Sequence, residues 1–183
     1  MATIEEILSL SIIVPVIVID DSRHAIRLGE TLVEAGLPVA EVTLRTPDSW
    51  QAIENMLKVD GLEVGVGSVK RKEDIIRAKD LGVSFAVSPG FTDEVGQAAQ
   101  DLGLTLFPGV STPSEIMSAS AAGFSVLKWF PAESLGGINT LKAVSAPFPN
   151  LKFIPTGGIN AKNAHDYLAM DCVVMPKSSL LEL

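Results

Sequence analysis

Residues 125–133 read SVLKWFPAE, a lysine set inside an apolar, β-branched and aromatic run. Such a run predicts a buried strand. An ammonium group buried in a strand is costly unless it is paired or gives up its proton. A lysine that gives up its proton is a nucleophilic amine, the starting point of Schiff-base chemistry. A lone lysine near a strand end more commonly lets its head snorkel to water. The surroundings of Lys128 decide between these readings.

On either side of this run the chain keeps one rhythm. Strand-like segments are VPVIVI (14–19), VAEVTL (39–44), LEVGVGSV (62–69), SFAVSPG (84–90), LTLFPGV (104–110), SVLKWFP (125–131), LKFIPTGG (151–158) and CVVM (172–175). Helix-like segments lie between them, from SRHAIRLGETLVEAG (22–36) to AKNAHDYLAM (161–170). Several open on Ser, Thr, Asp or Pro and close on Gly, the start and stop signals of helices. Eight short strands alternating with helices predict a parallel sheet with crossover helices. Eight units favour a closed (β/α)8 TIM barrel over an open doubly wound sheet, which normally uses fewer strands. The barrel is compact, because 183 residues fall well short of the ~250 that are typical. An initial helix, IEEILSL (4–10), is expected to plug its bottom, and the C-terminal helix is expected to be truncated or incomplete.

The whole chain, 1–183, is expected to form one domain. Its 47% hydrophobic and 20% charged residues suit a globular protein. The net charge of −8, with no basic stripe, argues against nucleic acid and anionic membranes as partners. The N-terminus is acidic and no apolar run reaches the ~20 residues of a membrane span. The single cysteine, Cys172, excludes an internal disulfide and fits a reducing cytoplasm; it reads as core packing. His24 and His165 lie in helix-like segments and read as surface or packing residues. No metal-ligand spacing, GxGxxG or Walker loop is present, so no metal or cofactor is expected.

Barrel active sites sit at the C-terminal ends of the strands. In VAEVTLRT, Glu41, Thr43 and Arg45 share one face, opposite the apolar Val42 and Leu44. The apolar face must pack on helices, so the polar face points inward. Strand 6 presents Val126, Lys128 and Phe130 on one face. Strands 2 and 6 stand opposite each other in an eight-stranded barrel and are both even-numbered, so Glu41 and Lys128 can share one layer. A carboxylate beside an amine in a dry cavity is a proton-transfer pair; a purely structural Glu41–Arg45 pair is the plainer alternative. Ser68 ends strand 3 after two glycines. Thr156, Gly157 and Gly158 end strand 7 with a hydroxyl and free backbone N–H groups, which suit a phosphate or carboxylate. Pro89 and Pro108 are expected to mark strand ends, since neither can donate to a ladder.

Seven separated segments, PVIVIDD, EVTLRTP, VGVGSV, FAVSPG, FPGVSTPSE, LKWFPAE and PTGGI, together resemble the 2-keto-3-deoxy-6-phosphogluconate (KDPG) aldolase family, in the family's order, from about residue 12 to 170. The resemblance implies a trimeric, metal-free class I aldolase barrel. It implies cleavage of KDPG to pyruvate and glyceraldehyde 3-phosphate, and in some members of 4-hydroxy-2-oxoglutarate to pyruvate and glyoxylate. Carried onto this sequence, Lys128 is the Schiff-base residue and Glu41 the general acid/base. Arg45 holds the pyruvyl carboxylate. Ser68 stands where the family usually has threonine. Pro89, Phe130 and Thr156 belong to the substrate-binding set, and Gly157 and Gly158 offer amides to the distal phosphate. One departure is evident. The family usually follows strand 8 with Gly-Gly-Ser-Trp, whereas this chain reads CVVMPKSSLLEL (172–183). That leaves open an aldolase for non-phosphorylated keto acids, or a barrel that binds a keto acid without turnover.

Overall fold

The computed structural model describes residues 10, 11 and 13–174. Most of the expected initial helix, the chain after Val174 and the expected C-terminal truncation lie outside the described residues. The described strands are β1 (Val16–Ile17), β2 (Val39–Thr43), β3 (Glu63–Gly67), β4 (Phe85–Val87), β5 (Thr105–Phe107), β6 (Gly109–Val110), β7 (Val126–Trp129) and β8 (Lys152–Pro155). The helices between them are α1 (Ala25–Glu34), α2 (Ser49–Met56), α3 (Lys72–Leu81), α4 (Asp93–Leu102), α5 (Pro113–Ala121), α6 (Gly137–Ser145) and α7 (Ala164–Leu168).

All strand pairs are parallel, in the orders β1-β2-β3-β4-β5 and β6-β7-β8. The two ladders meet at Pro108. The sequence places this proline at a strand end; instead it interrupts the expected strand 104–110 and divides it into β5 and β6. Proline has no N–H to donate, but its carbonyl still accepts from Lys128 N at 2.8 Å, which carries the wall across the break. Of the expected last strand, CVVM, the described residues Cys172–Val174 make one parallel bridge, between Val173 and Phe153. The eight expected strand positions therefore follow one another in order around a (β/α)8-type wall. The first of them is also shorter than its 14–19 span. The helix expected over 161–170 contracts to α7, because Asn160 N bonds the Asn163 side chain at 2.8 Å and holds the preceding residues in a turn.

Local signals explain the helix ends. The Thr92 hydroxyl accepts from Val95 N at the start of α4, and Gly103 closes it with φ 60, a left-handed conformation cheap for glycine. α5 opens with Pro113 and a Thr112–Glu115 capping box. The apolar core is layered. Outside the wall, Val42, Val64, Val66, Ile53 and Ile75 pack in one cluster, and Trp129, Leu127, Phe153, Leu141 and Ile116 in another. Burying side chains of this size contributes roughly 1.5–3 kcal/mol each. Inside, Val39, Phe85, Val87, Phe107 and Val126 form a third cluster, with Phe85 and Phe107 edge to face at 5.8 Å. This apolar filling makes the interior a dry floor on which polar groups stand out.

Candidate active site

β2 and β7 each lift one charged side chain out of that floor. Glu41 and Lys128 are 4% and 5% exposed. Lys128 Nζ lies 3.5 Å from Glu41 Oε1, although 87 positions separate the two in sequence. β7 runs between β6 and β8, with Lys128 in register with Gly109 and Ile154. The Phe130 ring lies 5.4 Å from the same nitrogen.

Glycines make room for the pair. The carboxylate of Glu41 lies over Gly67 of β3, where an added Cβ would stand 2.0 Å from Oε1. Two residues earlier, a Cβ on Gly65 would stand 2.2 Å from the Phe85 ring. The alternation in EVGVG thus clears one face of β3 for a carboxylate and an aromatic ring.

Burial acts on both groups in the direction of neutrality. It raises the Glu41 carboxyl above its usual range, against the attraction of Lys128. It lowers the Lys128 ammonium below its usual range, against the attraction of Glu41 and helped by the charge of Arg45. In both cases desolvation is the larger cause, so burial shifts both groups in the direction of the uncharged amine and carboxylic acid. Such a pair can accept a carbonyl carbon on nitrogen and deliver or remove a proton beside it.

A cavity of about 540 Å³ opens beside the pair. Glu41, Lys128, Arg45, Phe130, Thr156, Gly157 and Gly158 all line it, above Phe85, Val87, Phe107 and Ile154. Arg45 lies beyond the end of β2 and is exposed. Two expected substrate residues stand apart from this cavity. Ser68 lines a neighbouring depression with Thr46, Lys70 and Arg71, and reaches the cavity only through Arg45, whose Nε donates to Ser68 Oγ at 3.2 Å. Its φ of 60 ends β3 in a left-handed turn that costs roughly 1–2 kcal/mol for a residue with a side chain. Pro89 does not line the cavity and is exposed; it stands two residues past β4, and its backbone comes within 2.4 Å of where a Cβ on Gly109 would lie. Thr43, expected on the inward polar face, spends its hydroxyl on the Ile17 carbonyl at 3.0 Å. His24 and His165 are on the surface. Among the described residues no group of three or more His, Cys, Asp or Glu side chains converges as a metal site, and no helix is long and apolar enough to cross a membrane.

Sequence reasoning missed three features: the clearing role of Gly65 and Gly67, the aromatic floor, and a contact at the far end of the cavity between Glu133 and Tyr167. The period-two glycines of EVGVG carry a legible signal for the first. The other two depend on which strands meet in space.

A parallel barrel with one buried amine facing one buried acid beside a cavity is an enzyme architecture, and comparison with known proteins supplies its class, an aldolase. The family described as KDPG and KHG aldolase matches residues 4–182. The KHG/KDPG aldolase of Escherichia coli (strain K12) is 40% identical over 171 residues, 93% of this chain and 80% of that protein. The 2-keto-3-deoxy-6-phosphogluconate aldolase of Zymomonas mobilis ZM4, solved with 3-phosphoglycerate, superposes with a TM-score of 0.90 at 38% identity, over 92% of this chain and 81% of that one. The KDPG aldolase of Legionella pneumophila, solved with pyruvate captured as a covalent carbinolamine, gives a TM-score of 0.90 at 39% identity, over 95% and 85%. The chain belongs to the KDPG and KHG aldolase family.

Proposed function

We propose that this aldolase cleaves 2-keto-3-deoxy-6-phosphogluconate to pyruvate and glyceraldehyde 3-phosphate through a Schiff base on Lys128. The observation that carries the reading is the amine–acid pair, 3.5 Å apart in a dry barrel, with burial shifting both groups toward their uncharged forms. The neutral amine adds to the C2 ketone, and the proton that the nitrogen sheds passes to the oxygen to give a carbinolamine. Glu41 donates its proton to the departing hydroxyl, so water leaves and an iminium forms. The resulting carboxylate accepts the proton of the C4 hydroxyl. The C3–C4 bond breaks, its electron pair flows to the iminium nitrogen, and the aldehyde departs from an enamine. Glu41 returns that proton to C3. Water then adds to C2 and gives its spare proton back to Glu41, and pyruvate and the free amine are regenerated. Arg45, steadied by Ser68, holds the substrate carboxylate and brings C2 to the nitrogen. Gly157 and Gly158 receive the distal phosphate.

Cleavage of 4-hydroxy-2-oxoglutarate to pyruvate and glyoxylate is the companion activity. A preference for non-phosphorylated substrates is the second reading, favoured by one observation: the far end of the cavity is lined by Ile159, Ala164 and Leu168, and Arg45 and Lys128 are the cations among its described lining residues. Measuring pyruvate release from both substrates decides between them. A larger kcat/KM for the phosphorylated sugar acid supports the first reading, and the reverse order supports the second. A homotrimer in the cytoplasm completes the reading; sedimentation at several concentrations checks the assembly.

A further inference from the structure

We propose that Glu133 and Tyr167 are positioning residues that set the Gly157–Gly158 turn, and with it the preference for substrates carrying a phosphate far from the keto acid. The inference rests on the phosphate reading given above and names the groups that build that subsite.

Three successive carbonyls of the turn are tied down. Thr156 O accepts from Ala132 N at 2.8 Å, and Gly157 O accepts from Glu133 N at 3.0 Å. Gly158 O accepts from the Asn160 and Asn163 side-chain amides at 3.0 and 3.1 Å. In a trans peptide the N–H points opposite to the carbonyl of the same plane. The N–H groups of Gly157, Gly158 and Ile159 are therefore turned away from these anchors, and all three residues line the cavity. Among the described residues, the N–H groups of Gly157 and Gly158 donate to no protein acceptor. Successive free N–H groups of this kind form a concavity suited to an anion.

Glu133 is the hinge pin of the arrangement. Its backbone holds Gly157, and its side chain lies against Gly158, where a Cβ would meet Glu133 Cβ and Cγ at 2.6 Å. Gly158 also has φ 86, so both space and backbone require glycine. The Glu133 side chain is fixed in turn by Tyr167 of α7, whose hydroxyl donates to Oε1 at 2.5 Å. Tyr167 is only 1% exposed. Burial, with Glu133 beside it, pushes the phenol above its ordinary range, so it remains a donor. α7 is thereby linked to β7 and β8 across the far end of the cavity.

The test compares wild type with Tyr167→Phe, Glu133→Ala and Glu133→Gln. For each, kcat/KM is measured for 2-keto-3-deoxy-6-phosphogluconate and for 4-hydroxy-2-oxoglutarate, which lacks the phosphate, and inorganic phosphate is titrated as an inhibitor. Tyr167→Phe and Glu133→Ala are expected to lower the phosphorylated-to-unphosphorylated ratio by about tenfold, the factor that goes with one lost hydrogen bond. The loss should appear in KM, and the inhibition constant for phosphate should rise by a similar factor. Glu133→Gln keeps an oxygen acceptor for Tyr167 and should retain the ratio. A wild-type preference that is unchanged in Tyr167→Phe and Glu133→Ala overturns the inference and leaves the phosphate reading standing. Equal loss toward both substrates also overturns it, since that is the mark of a merely structural contact. A wild type with no preference removes the phosphate reading and the inference together.

Discussion

Gly67→Ala adds one methyl group beside the Glu41 carboxylate. The new Cβ would lie 2.0 Å from Oε1 and 2.7 Å from Cδ and Cγ. Ordinary contact begins at 3.4 Å, so the oxygen must withdraw by the difference, roughly 1.4 Å. The same oxygen is the one 3.5 Å from Lys128 Nζ. β3 itself can accept alanine, because Gly67 is not among the residues with positive φ. The strain therefore falls on a flexible side-chain end, with an overpacking cost of about 1–3 kcal/mol. Misplacing a proton-transfer group by about 1 Å is expected to reduce turnover on the order of 10²-fold. The assay is pyruvate release from the keto-acid substrate, with urea denaturation as the fold control. Wild-type turnover in a folded Gly67→Ala variant would refute the idea that Glu41 works from this one position.

Other expectations follow from the same geometry. Glu41→Gln should form the pyruvate adduct on borohydride treatment more slowly, while turnover falls by roughly 10²–10⁴-fold; full turnover would remove Glu41 from the proton path. The pair also opposes folding at neutral pH. The raised Glu41 pKa makes its contribution fade as pH climbs above the ordinary carboxylate range, and the lowered Lys128 pKa makes its contribution fade as pH drops below the ordinary amine range. Between about pH 4.5 and 10.5 both groups therefore cost stability. The double variant Glu41→Gln/Lys128→Met should gain about 1–4 kcal/mol in urea at pH 7, and a loss there would contradict this ledger. Lys128→Met alone leaves one buried acid, and its stability should decline as pH rises past the carboxylate range. At α5, burial alone would raise the Glu115 carboxyl, but the N–H and hydroxyl groups of Ser111 and Thr112 outweigh it and hold it low. That stabilisation is present above pH 4.5 and disappears as the acid protonates. Glu115→Gln should cost about 1 kcal/mol at pH 7 and little near pH 2, as read from denaturation midpoints.

The alternation of period-two and period-3.6 segments made the barrel legible, because each segment must turn one apolar face to its neighbours. The same parity placed Glu41 and Lys128 in one layer, since an eight-stranded ring fixes which strands oppose each other. Parity loses its force where a strand stops. Arg45, Ser68 and Pro89 all lie past a strand end, so local backbone turns decide their directions. Arg45 reaches the cavity, Ser68 lines a neighbouring depression and accepts from Arg45, and Pro89 stays outside. Glu133 and Tyr167 meet across 34 positions, a contact that no short pattern encodes.

The central claim is that Lys128 attacks the keto carbon. Incubating the enzyme with pyruvate and borohydride, then mapping the adduct by peptide mass analysis, tests it most directly. One reduced pyruvyl group per chain is expected, carried on Lys128 and lost in Lys128→Met. An adduct on another lysine, or one that persists in that variant, would contradict it.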